Sequence, residues 1–134
     1  LQEESSNDTV YFNVEDLDSG RDITTIEHNS FKFNRGKKYY RTTIKNISNK
    51  KVKVIKFGSF SKVGTEYVIN TVTNSFFTAE EFYEWYNVDT DGWIKPGQSV
   101  SDPNNYGNGQ DSYWVYYFSD QFGENFAAGI QIPE

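Results

Sequence analysis

The chain has 134 residues, a net charge of −6, and 36% hydrophobic but 18% aromatic side chains: 11 Phe, 10 Tyr and 3 Trp. That length suits one domain spanning residues 1–134, and so much aromatic surface offsets the entropy of ordering it, which excludes a disordered chain. With no Cys and a single His, a disulfide scaffold, a thiolate zinc site, a thiol nucleophile and a multi-histidine metal site are excluded too.

The net charge conceals a segregation. Residues 1–31 carry eight acids and one base, residues 32–62 carry eleven bases and no acid, and residues 63–134 carry eleven acids and one base. A +11 block inside a −17 remainder calls either for neutralisation within the fold or for an acidic partner.

Residues 1–8, Leu-Gln-Glu-Glu-Ser-Ser-Asn-Asp, are polar and acidic, as at the start of an exported protein after signal removal, and are expected to be flexible. No apolar run approaches the roughly 18 residues that cross a bilayer. Composition without Cys or Met, and rich in Asn, Lys, Tyr and Thr, resembles that of exported bacterial proteins, so an extracellular or cell-envelope location is expected.

Most of the chain reads as short strands between Gly, Asn, Asp and Ser turns. Residues 9–15 alternate and form an early strand, 16–20 a turn, and 23–33 a longer strand with Phe31 and Phe33 on one face. Residues 37–47 and 51–57 read as a hairpin around Ser48-Asn49-Lys50. In that register Ile44 faces Val54 and Asn46 faces Val52, while Lys45 faces Lys53 on the other side. Residues 65–73 form another strand. Phe77-Thr78-Ala79-Glu80-Glu81-Phe82 carries a capping box and a hydrophobic staple, which predicts a helix of about two turns over 78–87. Residues 112–118 and 124–132 form a hairpin around 120–123. The first of these strands is apolar on both faces. It is either a central strand covered on both sides or one with an exposed aromatic face. Seven to nine short strands and one helix predict a mainly β fold, a two-sheet antiparallel sandwich.

After the helix, Asn87-Val88-Asp89-Thr90-Asp91-Gly92 resembles the start of an EF-hand loop, with oxygen ligands at alternate positions before a glycine. Gln98 stands where that loop needs a bidentate Glu, and Pro96-Gly97 forbids an exiting helix. The segment is therefore a simple turn or a weak calcium site on Asn87, Asp89 and Asp91. No other cofactor is expected. Catalytic signals are thin. His28 has no Gly-x-Ser-x-Gly elbow, Ser59-Phe60-Ser61-Lys62 has Ser-x-x-Lys spacing without further motifs, and Glu80, Glu81 and Glu84 suit a helix start. These residues predict a non-enzyme, with a small secreted hydrolase as a remote alternative.

Two surfaces remain. In the hairpin register Lys37, Arg41, Lys45, Lys51 and Lys53 line one face with Tyr39 among them, so an acidic polymer, glycan or protein patch could bind there. The alternative is that acidic strands of the same domain neutralise it. The acidic remainder argues against nucleic acid. The rival surface is carbohydrate stacking on Trp93, Tyr106 and Trp114, with Tyr83 and Tyr86 in reserve and the polar loop 104–111 nearby. Aromatics in a chain so poor in Leu must also build the core.

The stretches from Lys38-Tyr39-Tyr40 to Val52-Lys53-Val54, and Lys95-Pro96-Gly97-Gln98-Ser99-Val100, resemble small secreted bacterial immunoglobulin-like sandwiches over about 25 residues. The resemblance implies the fold and an exported setting, and carries no functional residues. Together these readings predict a non-enzymatic extracytoplasmic binding module with a basic face, or else a carbohydrate-binding module, calcium-assisted in one form.

Overall fold

A computed structural model describes residues 10–71, 75–106 and 112–133, where two antiparallel sheets and a short helix enclose an aromatic core. The strands are β1 (Tyr11–Phe12), β2 (Thr24–Asn34), β3 (Lys37–Asn46), β4 (Val52–Val63), β5 (Glu66–Ile69), β6 (Phe77–Thr78), β7 (Ser99–Tyr106), β8 (Ser112–Asp120) and β9 (Asn125–Gln131). The larger sheet runs β1-β5-β4-β8-β9 with β6 added to β4; the smaller runs β2-β3-β7. This is a mainly β two-sheet sandwich, as the strand spacing predicts. The expected flexibility of residues 1–8 and most of the 104–111 loop lie outside the described residues.

Helix α1 (Ala79–Tyr86) forms where its cap predicts. The Thr78 hydroxyl accepts from the Glu81 amide at 3.1 Å, and the Glu81 carboxylate accepts from the Thr78 amide at 2.9 Å. Phe77 and Phe82, the staple pair, both pack on Phe57, with ring centroids at 5.1 and 5.6 Å. Asn87 ends the helix in the left-handed region, its amide returning to the Tyr83 carbonyl.

Strand β8 is central and covered on both faces. Trp114, Tyr116 and Phe118 join Tyr40, Ile44, Val52, Val54, Phe57 and Phe82 between the sheets. Val115 joins Phe12, Phe60 and Ile69 on the other side, where Tyr67, Tyr113 and Tyr117 pack partly buried. The expected early strand shrinks to Tyr11–Phe12, and a 3-10 helix, Val14–Gly20, replaces both its end and the expected turn. That helix lies against β9 so closely that a Cβ on Gly20 would stand 2.5 Å from the Ala127 carbonyl oxygen.

The hairpin expected between 37–47 and 51–57 does not form. β3 pairs with β2 and β7 in the smaller sheet, and β4 pairs with β5, β6 and β8 in the larger. The hairpin partner of β3 is β2, joined through Arg35 and Gly36, both at positive φ (53° and 81°) as a tight two-residue turn requires. Residues 47–51 instead arch from one sheet to the other. Buried Asn46 holds the arch: its Nδ2 donates to the carbonyls of Lys50 (2.7 Å) and Ile94 (2.9 Å). Its Oδ1 accepts from the amide and hydroxyl of Ser48 (2.9 and 2.7 Å).

Candidate functional site

The arch divides the basic block. Lys37, Tyr39, Arg41 and Lys45 stay together on the outer face of β3, alternating with Tyr40, Thr42 and Ile44, which point into the core. Lys51 and Lys53 belong to the other sheet's side, so the six-residue basic face is corrected to four residues. Opposite Lys45 stand Thr25 and Ser99, opposite Arg41 Asn29, and opposite Lys37 Asn34. The like-charge pairing of Lys45 with Lys53 is absent, since Lys53 faces Ser119. Two acids are paired to this stretch of β3: Asp102, opposite Thr42, and Glu27, opposite Thr43, whose carboxylate accepts from the Asn29 side-chain amide at 3.3 Å.

Between described residues, the ion pairs are those of Lys50 with Asp120 (3.6 Å) and Glu124 (4.0 Å). Burial works against the Asp120 carboxylate. The Glu124 and Phe122 amides and Lys50 outweigh it, so its pKa lies below the ordinary value. Other lysines sit over rings instead of carboxylates: Lys37 over Tyr106 (5.1 Å), Lys51 and Lys53 over Trp93 (5.2 and 4.8 Å), and Lys56 over Phe76 (4.3 Å).

These placements sort the proposed sugar platform. Trp114 is 5% exposed and Tyr86 2%, so neither is a surface platform. The Trp114 indole donates to the Tyr40 hydroxyl at 3.0 Å, and the Tyr86 and Tyr116 hydroxyls bond each other in the core. Both fill the core because few large aliphatic residues compete for it. Trp93 is half-buried beneath two lysines, and Tyr83 is half-buried with its hydroxyl against Gly92. Tyr106 is 54% exposed, edge-on to Tyr39 at 5.4 Å.

Tyr106 also lines a cleft of about 480 Å³ between β7, α1 and the inner face of the larger sheet. Phe77, Trp85 and Trp114 supply its other aromatic walls, and Asp102, Asn104 and Asn105 its polar edge. Sequence reading missed Trp85 and Asp102. Trp85 sits on the helix flank three residues after the buried Phe82, and Asp102 shares the inward parity of Val100 on β7. Those two periodicities were the available signals. Asp102 is 8% exposed, and one carboxylate oxygen accepts from the Asn104 amide at 3.0 Å. Burial raises its pKa, while that amide and the charge of Arg41 pull the other way.

Behind Asp102 a polar relay crosses the smaller sheet. The Asn105 side-chain amide donates to the Thr42 hydroxyl at 2.9 Å, and that hydroxyl is hydrogen-bonded to His28 Nδ1, also at 2.9 Å. Burial lowers the His28 pKa to about 4, offset in part by the Gln131 carbonyl. Ser59 stands on strand β4, not on a helix, and its hydroxyl donates to the Asn70 side chain. The Glu80 and Glu81 carboxyls occupy the first turn of α1.

In the loop after α1, Asp91 caps the Trp93 amide at 3.0 Å, and the Asp89 carbonyl accepts from Gly92 at 2.8 Å. Asn87 is the helix cap. Among the described residues no group of three or more His, Cys, Asp or Glu side chains is placed to hold a metal ion. No helix among them is long and apolar enough to cross a membrane.

No protein-family model matches this chain, and no curated protein matches it. Among solved structures, the chain is similar to an X-ray structure of a Northeast Structural Genomics Consortium target. The two share 16% identity over 81% of this chain and 79% of that one, with a TM-score of 0.36.

Proposed function

We propose that this protein is a non-enzymatic binding module that works outside the cytoplasm and holds an extended acidic polymer along the outer face of β3. One observation carries the reading: Lys37, Arg41 and Lys45 share one strand face, and none forms an ion pair with a carboxylate among the described residues. Successive bases are four residues apart, hence about 13 Å along the strand. That spacing suits repeated charges on a polymer better than one compact anion. Tyr39 and Tyr106 place two rings beside the charges, so an acidic polysaccharide fits better than a simple polyanion. The acidic remainder of the chain disfavours nucleic acid. The extracytoplasmic setting rests on composition, as does the immunoglobulin-like reading of the sandwich. Of the motifs behind the latter, Pro96-Gly97-Gln98 does form a turn before β7, with Gly97 at φ 80°.

The test is binding to polygalacturonate, with polyglutamate and dextran for comparison, as salt rises from about 20 to about 500 mM. Polygalacturonate should bind and be released by salt, and a variant carrying Lys37→Gln, Arg41→Gln and Lys45→Gln should lose it while remaining folded. Equal binding by wild type and variant, or equal affinity for dextran, would refute this reading. Tighter binding to polyglutamate would transfer the site to acidic protein.

A further inference from the structure

The cleft beside β7 calls for a ligand of different chemistry from the basic face. Its volume, about 480 Å³, falls within the range of about 300–1,000 Å³ typical of small-molecule sites. Aromatic walls come from Trp85, Tyr106 and Trp114, and the polar edge from Asp102 and Asn104.

Charge narrows the ligand. Asp102 disfavours an anion inside the cleft. A cation is disfavoured as well, because bases already crowd the rim. The Lys32 ammonium donates to the Asn104 side chain at 3.2 Å, Lys37 covers Tyr106, and the charge of Arg41 acts on Asp102. A wholly apolar ligand fits poorly for another reason. Among the described residues, one Asp102 oxygen accepts the Asn104 amide and the other accepts no hydrogen bond. Covering that oxygen with hydrocarbon leaves a buried acceptor unpaired. The remaining class is neutral, with an apolar face for the rings and hydroxyls for the carboxylate and amide.

We infer that this cleft binds a neutral sugar, one pyranose ring lying against the Trp85 and Tyr106 side chains and donating a hydroxyl to the free oxygen of Asp102. Lys37 holds Tyr106 from the rim, and the Asn104 amide fixes the carboxylate. The cleft and the outer face of β3 meet at Tyr106, yet they need different residues and respond differently to salt.

The experiment is a ¹⁵N-resolved NMR titration of the intact chain with cellobiose, maltose and N,N′-diacetylchitobiose, with tetramethylammonium chloride and sodium galacturonate as charged controls. At least one neutral sugar should shift the Trp85 indole and the Asn104–Tyr106 amides saturably, with little dependence on salt. Asp102→Leu should weaken that binding by about tenfold or more, since it removes a hydrogen bond to a charged acceptor. Asp102→Asn, which keeps an acceptor, should retain most of it. Asn104→Ala, at an exposed side chain, serves as the second probe if Asp102→Leu does not fold, and should weaken binding severalfold. Silence from all three sugars, or variants that bind as wild type does, would overturn the proposal. Saturable shifts with tetramethylammonium alone would make the cleft a cation cage. Shifts with galacturonate alone, abolished by the β3 triple variant, would return the signal to the basic face and also overturn it.

Discussion

Asn46 decides whether residues 47–51 form an arch or a hairpin, and its removal can be given a magnitude. The side chain is fully buried and makes four hydrogen bonds, two as donor and two as acceptor. Each contributes about 1 kcal/mol net. Two of the partners keep other bonds: the Ile94 carbonyl still accepts from the Val52 amide at 3.1 Å, and the Lys50 carbonyl from the Ser48 hydroxyl at 3.2 Å. With that allowance Asn46→Ala should cost about 3 kcal/mol, or roughly 10 °C in Tm for a chain of this size. Asn46→Asp separates hydrogen bonding from volume. It preserves both acceptor bonds but turns an anion toward two carbonyl oxygens, so it should be at least as damaging at neutral pH and recover on acidification. Urea and thermal unfolding followed by circular dichroism measure both. A Tm loss below about 2 °C for Asn46→Ala, or an Asn46→Asp variant as stable as wild type at neutral pH, would show that the strand ladders alone direct the crossing.

Further outcomes follow from the same geometry. His28 has a folded pKa near 4 against about 6.5 when unfolded, so the unfolded chain takes up the proton first; stability is full above pH 6.5 and falls as pH drops toward 4. Because the ring is partly exposed, the loss is discounted to about 1–2 kcal/mol, and the difference between wild type and His28→Gln across that window isolates it from Asp102, whose raised pKa acts in the opposite sense. Trp114→Phe removes the indole donor from the buried Tyr40 hydroxyl and should cost about 2–3 kcal/mol in urea unfolding. Millimolar calcium or a chelator should leave Tm unchanged, since Asp91 is already committed to the Trp93 amide; a calcium-dependent rise would restore the loop as a site.

What was legible in the sequence was local. The helix announced itself because cap, first-turn acids and staple all lie within six residues, and β8 because its run is apolar at both parities. The arch was not legible from strand pattern, since a three-residue break between two β runs suits either a hairpin or a crossing. Two signals favoured the crossing all the same. The hairpin register set Lys45 against Lys53, a pairing of like charges that costs stability, and it left Asn46 at the inward parity of Tyr40, Thr42 and Ile44. A buried amide at a strand's end needs several partners: Ser48 and Lys50 supply three bonds locally, and Ile94, reached across the arch, the fourth. The cleft was hidden for a different reason. Trp85 and Asp102 are far apart in sequence, and periodicity tells which way each faces but not that they face each other.

The segregation of charge can be followed to its physical end. Eleven bases over residues 32–62 without an intervening acid would be unfavourable in one sheet, where opposed like charges lie within about 5.5 Å. The crossing at Asn46 sends the later members to the other sheet, and there Lys51, Lys53 and Lys56 rest on Trp93 and Phe76. Aromatic faces stabilise each by roughly 0.5–1 kcal/mol at such exposure without neutralising it. Between described residues, the ion pairs with carboxylates are made by Lys50, the residue at the arch itself. The aromatic excess therefore serves three ends in one chain: it fills the core, it seats lysines where acids are scarce, and at Trp85 and Tyr106 it walls the cleft. On β3, Lys37 and Lys38 rest on Tyr106 and Phe31, while no ring lies beneath Arg41 or Lys45 among the described residues. If the positive charge were simply a neutralised surface, Arg41 and Lys45 should stand in ion pairs with carboxylates, and among the described residues neither forms one.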